Sequence, residues 1–165
     1  MGESGLIWIN SPAVEANSSS LNFYAGEFVH QLDDKHRVTI PSRWRRNGQA
    51  EEFLIVPEPK GQFLLVMSPQ EFARVSAAAE SAPGVSPRDL RIYLRQLHAR
   101  AQHGAADKQG RLLLADEFCK MLELKGEVTL VGGRGRFEIW NPQRRKRAHA
   151  EEHPTYQHVA DMVGL

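Results

Sequence analysis

An internal duplication constrains this chain more than any other feature of its sequence. DDKHRVTIPSRWRR (Asp33–Arg46) lies over DKQGRLLLADEFCK (Asp107–Lys120). Asp33 then matches Asp107, Arg37 matches Arg111, Val38 and Ile40 match Leu112 and Leu114, and Trp44 matches Phe118. Farther on, FLIVPEPKGQFLLVMSP (Phe53–Pro69) matches VTLVGGRGRFEIWNP (Val128–Pro142), with a shorter turn in the second copy. Each copy runs acidic-to-basic turn, strand, short helix, strand, turn, strand, and closes on Ser-Pro or Asn-Pro. One D-x-x-x-R would say almost nothing, but two in matched surroundings mark a repeat. A unit of about 45 residues with three short strands is too small to bury a good core alone. The expected architecture is therefore a pseudo-dimer within one chain, each copy completing the other's barrel.

Local signals agree with this organisation. Apolar residues alternate through Arg37–Ile40, as in a strand with one buried face. Phe53–Val56 and Phe63–Met67 flank PEPKG, a hairpin with a longer loop, while Val128–Val131 and Phe137–Trp140 flank GGRGR, a tighter one. A short helix follows Pro41, with Asn47-Gly48 as its stop. Ser68-Pro69-Gln70-Glu71 starts a helix over 69–81, with Glu71 placed for a capping box. Ser86-Pro87-Arg88-Asp89 starts a second over 87–100, whose Leu90, Tyr93, Leu94 and Leu97 share a face. Asn141-Pro142 starts a third, strongly basic helix, interrupted near Pro154. The expected divisions are an irregular extension (1–22), the first repeat with its helix (23–81), a linking helix (82–101), the second repeat (102–150) and a helical tail (151–165).

Most chemistry is excluded by what fails to recur or to assemble. Asp33, Asp34 and His36 form the candidate acid–base group, but the second copy has Asp107, Gln109 and Gly110, so the histidine is not repeated. The chain has no G-x-S-x-G, P-loop or dinucleotide fingerprint. It is read as a non-enzyme with no cofactor and no small-molecule substrate. His149 and His153 stand four residues apart and His158 follows, yet no cysteine or carboxylate pattern completes a metal site. The lone Cys119, between Phe118 and Met121, reads as a buried thiol; it permits no internal disulfide and fits a reducing, cytoplasmic compartment. No apolar run approaches the length that spans a bilayer, so no membrane partner is expected.

Net charge is only +1, from 21 basic and 20 acidic residues, so nucleic-acid binding would require the basic residues to be segregated. Clusters exist at Arg43, Arg45 and Arg46, at Arg88, Arg91 and Arg95, at Arg134 and Arg136, and over Arg144–Arg147. The last either touches DNA or keeps the third helix solvated, the second being preferred. In the duplicated turns, Asp33 and Asp107 can accept backbone hydrogen bonds, and Arg37 and Arg111 can pair back to them. That structural role leaves Lys35 and Lys108 unexplained, because a turn needs no lysine. Two such loops side by side would make a basic surface for phosphates and base edges.

GEFVHQLDDKHRVTIPSRWR, ADKQGRLLLADEF and VTLVGGRGRFEIWNP together resemble the MraZ family of bacterial transcriptional regulators, over roughly Phe23 to Arg147. The resemblance implies an α+β fold of two AbrB/SpoVT-type swapped-hairpin units per chain, with peripheral helices, assembling as a homo-oligomeric ring. It implies binding to short direct repeats in double-stranded DNA upstream of the division and cell-wall gene cluster, and hence a nucleoid-associated protein. Carried over, the DNA-facing residues are Lys35, His36 and Arg37 in the first loop and Lys108, Gln109 and Arg111 in the second. Asp33 and Asp107 shape the loops. His36 departs from the family's usual glycine and puts the first loop's conformation in question. The first 22 residues precede the usual family start, either as an added arm or from a misassigned start codon. The rival reading is an antitoxin-like module that docks a protein with the same fold. Two units, rather than one with a disordered tail, favour the regulator.

Overall fold

The computed structural model describes residues 23–45 and 50–165. The extension expected over 1–22 and the Asn47-Gly48 stop lie outside the described residues. The strands are β1 (Glu27–Gln31), β2 (Arg37–Thr39), β3 (Glu51–Pro57), β4 (Phe63–Met67), β5 (Gln102–Ala106), β6 (Arg111–Leu113), β7 (Glu127–Val131) and β8 (Arg136–Trp140). Among the described residues the α-helices are α1 (Pro69–Ala78), α2 (Pro87–Arg100), α3 (Asp116–Leu122) and α4 (Pro142–Val163). The strands form one antiparallel sheet in the order β1-β7-β8-β4-β3-β5-β6-β2. A Leu32–Val38 bridge and the His30 Nδ1 contact to the Thr39 carbonyl bring its two ends together as a near-closed barrel.

The expected α+β interleaving of copies is visible strand by strand. β1 pairs with β7, β3 with β5, β4 with β8 and β2 with β6, so every first-copy strand lies against a second-copy strand. Val38 faces Leu112 and Leu65 faces Glu138, each opposite its own counterpart in the other copy. An internal two-fold axis therefore passes between these pairs. The Leu32–Val38 bridge recurs as Ala106–Leu112.

Three local expectations need correction. Each copy holds four strands rather than three, because β1 and β5 precede the loops. EFVHQ and QHGAA are too polar or too small to show an apolar run, and they are strands because β7 and β3 of the opposite copy pair with them. The helix after Pro41 is a single 3₁₀ turn, Ser42–Trp44, with no side-chain cap, whereas its counterpart α3 completes two turns. The third helix is not interrupted: α4 runs through Pro154 to Val163. Proline removes only its own N–H and crowds one preceding carbonyl; in a helix with no buried residue, water can satisfy that carbonyl.

Side-chain caps fix where α1, α2 and α4 begin. Ser68 Oγ accepts from Glu71 N (3.1 Å), and Ser86 Oγ from Asp89 N (3.1 Å). The Glu71 carboxylate does not complete a capping box but grips Arg74 at 2.6 and 3.0 Å. Asn141 Oδ1 accepts from Gln143 N (2.9 Å) while its amide donates to the Glu123 carbonyl (2.9 Å), anchoring α4 to the end of α3.

The core draws on both copies. Val38, Leu64 and Val66 are fully buried with Leu112, Leu130, Phe137 and Ile139. Phe137 sits edge-on to Tyr24 and Phe53 and tilts against Trp44. Trp44 and its counterpart Phe118 are both buried, as the repeat requires.

Candidate nucleic-acid interface

The two D-x-x-x-R turns are near copies in three dimensions. Asp33 Oδ1 accepts the backbone N–H of Lys35 (3.0 Å) and of Arg37 (2.8 Å), while Oδ2 accepts Arg37 Nε (2.8 Å). Asp107 Oδ1 accepts from Gln109 (3.0 Å) and Arg111 (2.9 Å), and Oδ2 accepts Arg111 Nε (2.8 Å). A carboxylate that takes three donors stays ionised more readily. The Arg37 backbone N–H, and then its side chain and the Lys35 N–H, hold Asp33 below the ordinary carboxylate range against the cost of desolvation. Asp107 is lowered in the same way, by the Arg111 backbone first.

The strands place these turns side by side. Ile40 N donates to the Gly110 carbonyl and Leu114 N to the His36 carbonyl, both at 2.8 Å, so each turn is held by the strand that leaves the other. Lys35, Lys108 and Gln109 are exposed on the turns, while Arg37 and Arg111 are half-buried at the starts of β2 and β6. Arg37 lies opposite Leu113 and Thr39 opposite Arg111, and period-two alternation turns all four outward, away from buried Val38 and Leu112. Each arginine pairs through Nε alone, and among the described residues no protein group bonds its terminal nitrogens. Those nitrogens are the donors that a phosphate or a guanine edge accepts.

Of the three positions at which the turns differ, one, His36 against Gly110, is left-handed in both, and that difference has a structural cause. Gly110 is buried with φ 79°, and a Cβ there would collide with the Arg45 side chain, whose Nη1 donates to the Gln109 carbonyl at 2.7 Å. The residue that matches Arg45 in the second copy is Cys119. His36 keeps the glycine's left-handed conformation, φ 60°, and its Nδ1 lies 3.7 Å from Asp116 Oδ1. The histidine thus leaves the first turn's form intact. Gly110→Ala should cost about 1–3 kcal/mol of unfolding free energy, from left-handed strain and displaced Arg45. His36→Gly should stay within about 1 kcal/mol of the parent, since relieved strain is offset by glycine's unfolded-state entropy. Denaturant unfolding checks both, and equal losses would contradict the asymmetry.

Other candidates resolve differently. Cys119 is buried, and burial, then the Asp116 charge, pushes its thiol above the ordinary range, as befits an unreactive packing group. Among the described residues no group of three His, Cys, Asp or Glu is placed to hold a metal ion, and the His149 and His153 rings lie 5.6 Å apart on exposed α4. No helix of the described residues is long and apolar enough to cross a membrane. Arg144 and Arg145 take a role that neither sequence reading foresaw. Arg144 Nη1 donates to the Gly61 carbonyl (3.2 Å), and Arg145 pairs with Glu27 (2.9 Å) beside Trp140, clamping the base of α4 to the barrel. Sequence reasoning also missed Thr39 and Leu113, although alternation from Arg37 and Arg111 places them on the same face.

Residues 97–165 match a family model described as "MraZ protein, putative antitoxin-like". The chain is 31% identical over 140 residues to "Transcriptional regulator MraZ" of Desulforamulus reducens, covering 85% of this chain and 96% of that protein. It is 30% identical over 145 residues to the protein of that name from Acetivibrio thermocellus, covering 87% of this chain and 97% of that protein. The protein of that name from Nocardioides sp. is 33% identical over 121 residues, covering 73% of this chain and 82% of that protein.

Proposed function

This chain belongs to the MraZ family of transcriptional regulators, and from that premise we propose that it reads double-stranded DNA with its paired D-x-x-x-R turns. It is not an enzyme. Lys35, Lys108 and Gln109 approach phosphates, Arg37 and Arg111 reach base edges or phosphates, and His36 lies beside the backbone of the DNA. Asp33 and Asp107 hold the turns in shape. The observation that carries this reading is the β2–β6 pair, which sets two matched basic turns side by side with both arginines facing outward. A two-stranded ribbon is narrow enough to enter a major groove.

The DNA is a set of short direct repeats upstream of the division and cell-wall gene cluster, and the protein meets it in the cytoplasm, on the nucleoid, as a homo-oligomeric ring. A ring accounts for regulation by a chain of net charge +1, since several copies present the same small basic face and add their modest affinities. The two repeats, 23–81 and 102–150, form one reading unit, with 82–101 linking them and 151–165 lying outside it.

An electrophoretic shift on the DNA upstream of the chain's own gene, against a scrambled-repeat control, tests the assignment. If the two lysines and two arginines each displace a counterion, log affinity falls against log salt with a slope of about −3.6 per bound subunit. That is roughly a hundredfold between 50 and 200 mM salt. A flat salt dependence would remove the turns from the phosphates. Absence of binding to any DNA would leave the antitoxin-like, protein-docking reading in its place.

A further inference from the structure

The outward face of the β2–β6 ribbon carries four side chains, and the two arginines account for only half of them. Arg37 stands opposite Leu113, and Thr39 opposite Arg111. The internal two-fold exchanges the arginines and puts Thr39 where the other copy has Leu113. Threonine suits a wet strand position, being β-branched and carrying a hydroxyl that water can satisfy. Leucine has neither property, and Leu113 is 57% exposed. Single exposed leucines are ordinary on protein surfaces and by themselves mean nothing. The place of this one is what distinguishes it. Leu113 shares a recess of about 420 Å³ with Lys35 and His36 of the first turn, and with His103 and Asp116. An apolar side chain thus stands beside the groups that would meet phosphates.

Groove chemistry says what such a side chain could meet. Thymine's 5-methyl group is the apolar feature of a base edge in the major groove, and the minor groove offers none. Facing residues of an antiparallel pair hold their Cβ atoms about 4.5–5.5 Å apart, and stacked base pairs rise by about 3.4 Å. Arg37 and Leu113 therefore reach one base pair or two neighbouring ones. Leucine discriminates there, because it leaves the donors and acceptors of any other edge unpaired. Thr39, beside Arg111, carries both a methyl and a hydroxyl, so it can meet thymine or a hydrogen-bonding edge. The two halves of the ribbon are then unequal in what they demand of the DNA.

We propose that Leu113 is a specificity-determining residue, its side chain packing on the 5-methyl group of a thymine at, or next to, the base pair that Arg37 contacts. The inference rests on the reading of DNA by the β2–β6 face. It adds a base, its position relative to Arg37, and the residue that selects it.

Replacing thymines one at a time by deoxyuridine removes the methyl group and leaves the base pairing intact. Fluorescence anisotropy with the full-length protein, on a fragment carrying one repeat from upstream of its own gene, reads the effect. Losing the methyl that Leu113 covers should weaken the parent about fourfold. Leu113→Ser should abolish that uridine effect, while Leu113→Met, which keeps an apolar side chain, should retain most of it. Thr39→Ser should leave it unchanged. Leu113 is exposed, so its variants should fold as the parent does, and circular dichroism checks this. A parent that binds no DNA overturns the reading and the inference together. A parent that binds yet tolerates uridine at every thymine overturns the inference alone. So does a Leu113→Ser protein in which every uridine effect survives.

Discussion

Replacing Arg37 and Arg111 together with alanine should weaken binding to repeat-bearing DNA by about thirtyfold to twenty-thousandfold per site, at about 1–3 kcal/mol for each arginine. The fold should survive, because each arginine is paired to its aspartate near the surface, where solvent screens such pairs and they contribute little. The aspartates would keep their backbone donors from residues 35, 37, 109 and 111, and with them most of the turn. Fluorescence anisotropy on a labelled repeat measures the first effect, and thermal unfolding with light scattering measures the second. A double variant that unfolds or loses its oligomeric state would make the arginines scaffold and not readers. In a ring the loss is compounded at every engaged subunit, so a multi-repeat fragment should show a larger deficit than one repeat.

Phe137→Ala should be the most damaging single substitution in the barrel, lowering stability by about 3–5 kcal/mol. Phe137 is a second-copy residue with no exposed surface, yet three of its ring neighbours, Tyr24, Trp44 and Phe53, come from the first copy. The cavity would therefore open at the joint between copies and not inside either one. With total stabilities of about 5–15 kcal/mol typical of domains, much of the margin would go, and the melting midpoint should fall by about 10 °C or more at fixed protein concentration. A loss below about 1 kcal/mol would mean that the copies fold on separate cores. Phe63→Ala is the control, since Phe63 stacks on Trp140 at 4.4 Å but is only half-buried.

The duplication was legible because both copies kept the same alternation and the same Asp-to-Arg spacing, and those two patterns set the barrel and the turns. What the sequence hid follows from its range. The strands β1 and β5 owe their conformation to partners about a hundred and about fifty residues away in the chain, and five-residue runs such as EFVHQ have no apolar signal of their own. The Arg45 contact to Gln109 and the His36–Asp116 contact cross between copies, so no local pattern announces them. The uninterrupted α4 shows the opposite failure, a local rule about proline applied where an exposed helix can absorb the cost. The basic clusters were visible, but composition could not separate Arg144 and Arg145, which clamp a helix, from Arg37 and Arg111, which face outward.

The His36 and Gly110 turns, so alike in hydrogen bonding, are not interchangeable. A dimer of identical chains has no handed preference along a duplex and is matched by palindromes. Two halves joined in one chain are free of that constraint, and here their turns differ. With Lys35 and His36 on one side and Gln109 and Gly110 on the other, the molecule has a front and a back. A protein that read DNA through two unlike turns would sit on it in one orientation, so its repeated sites would all point the same way.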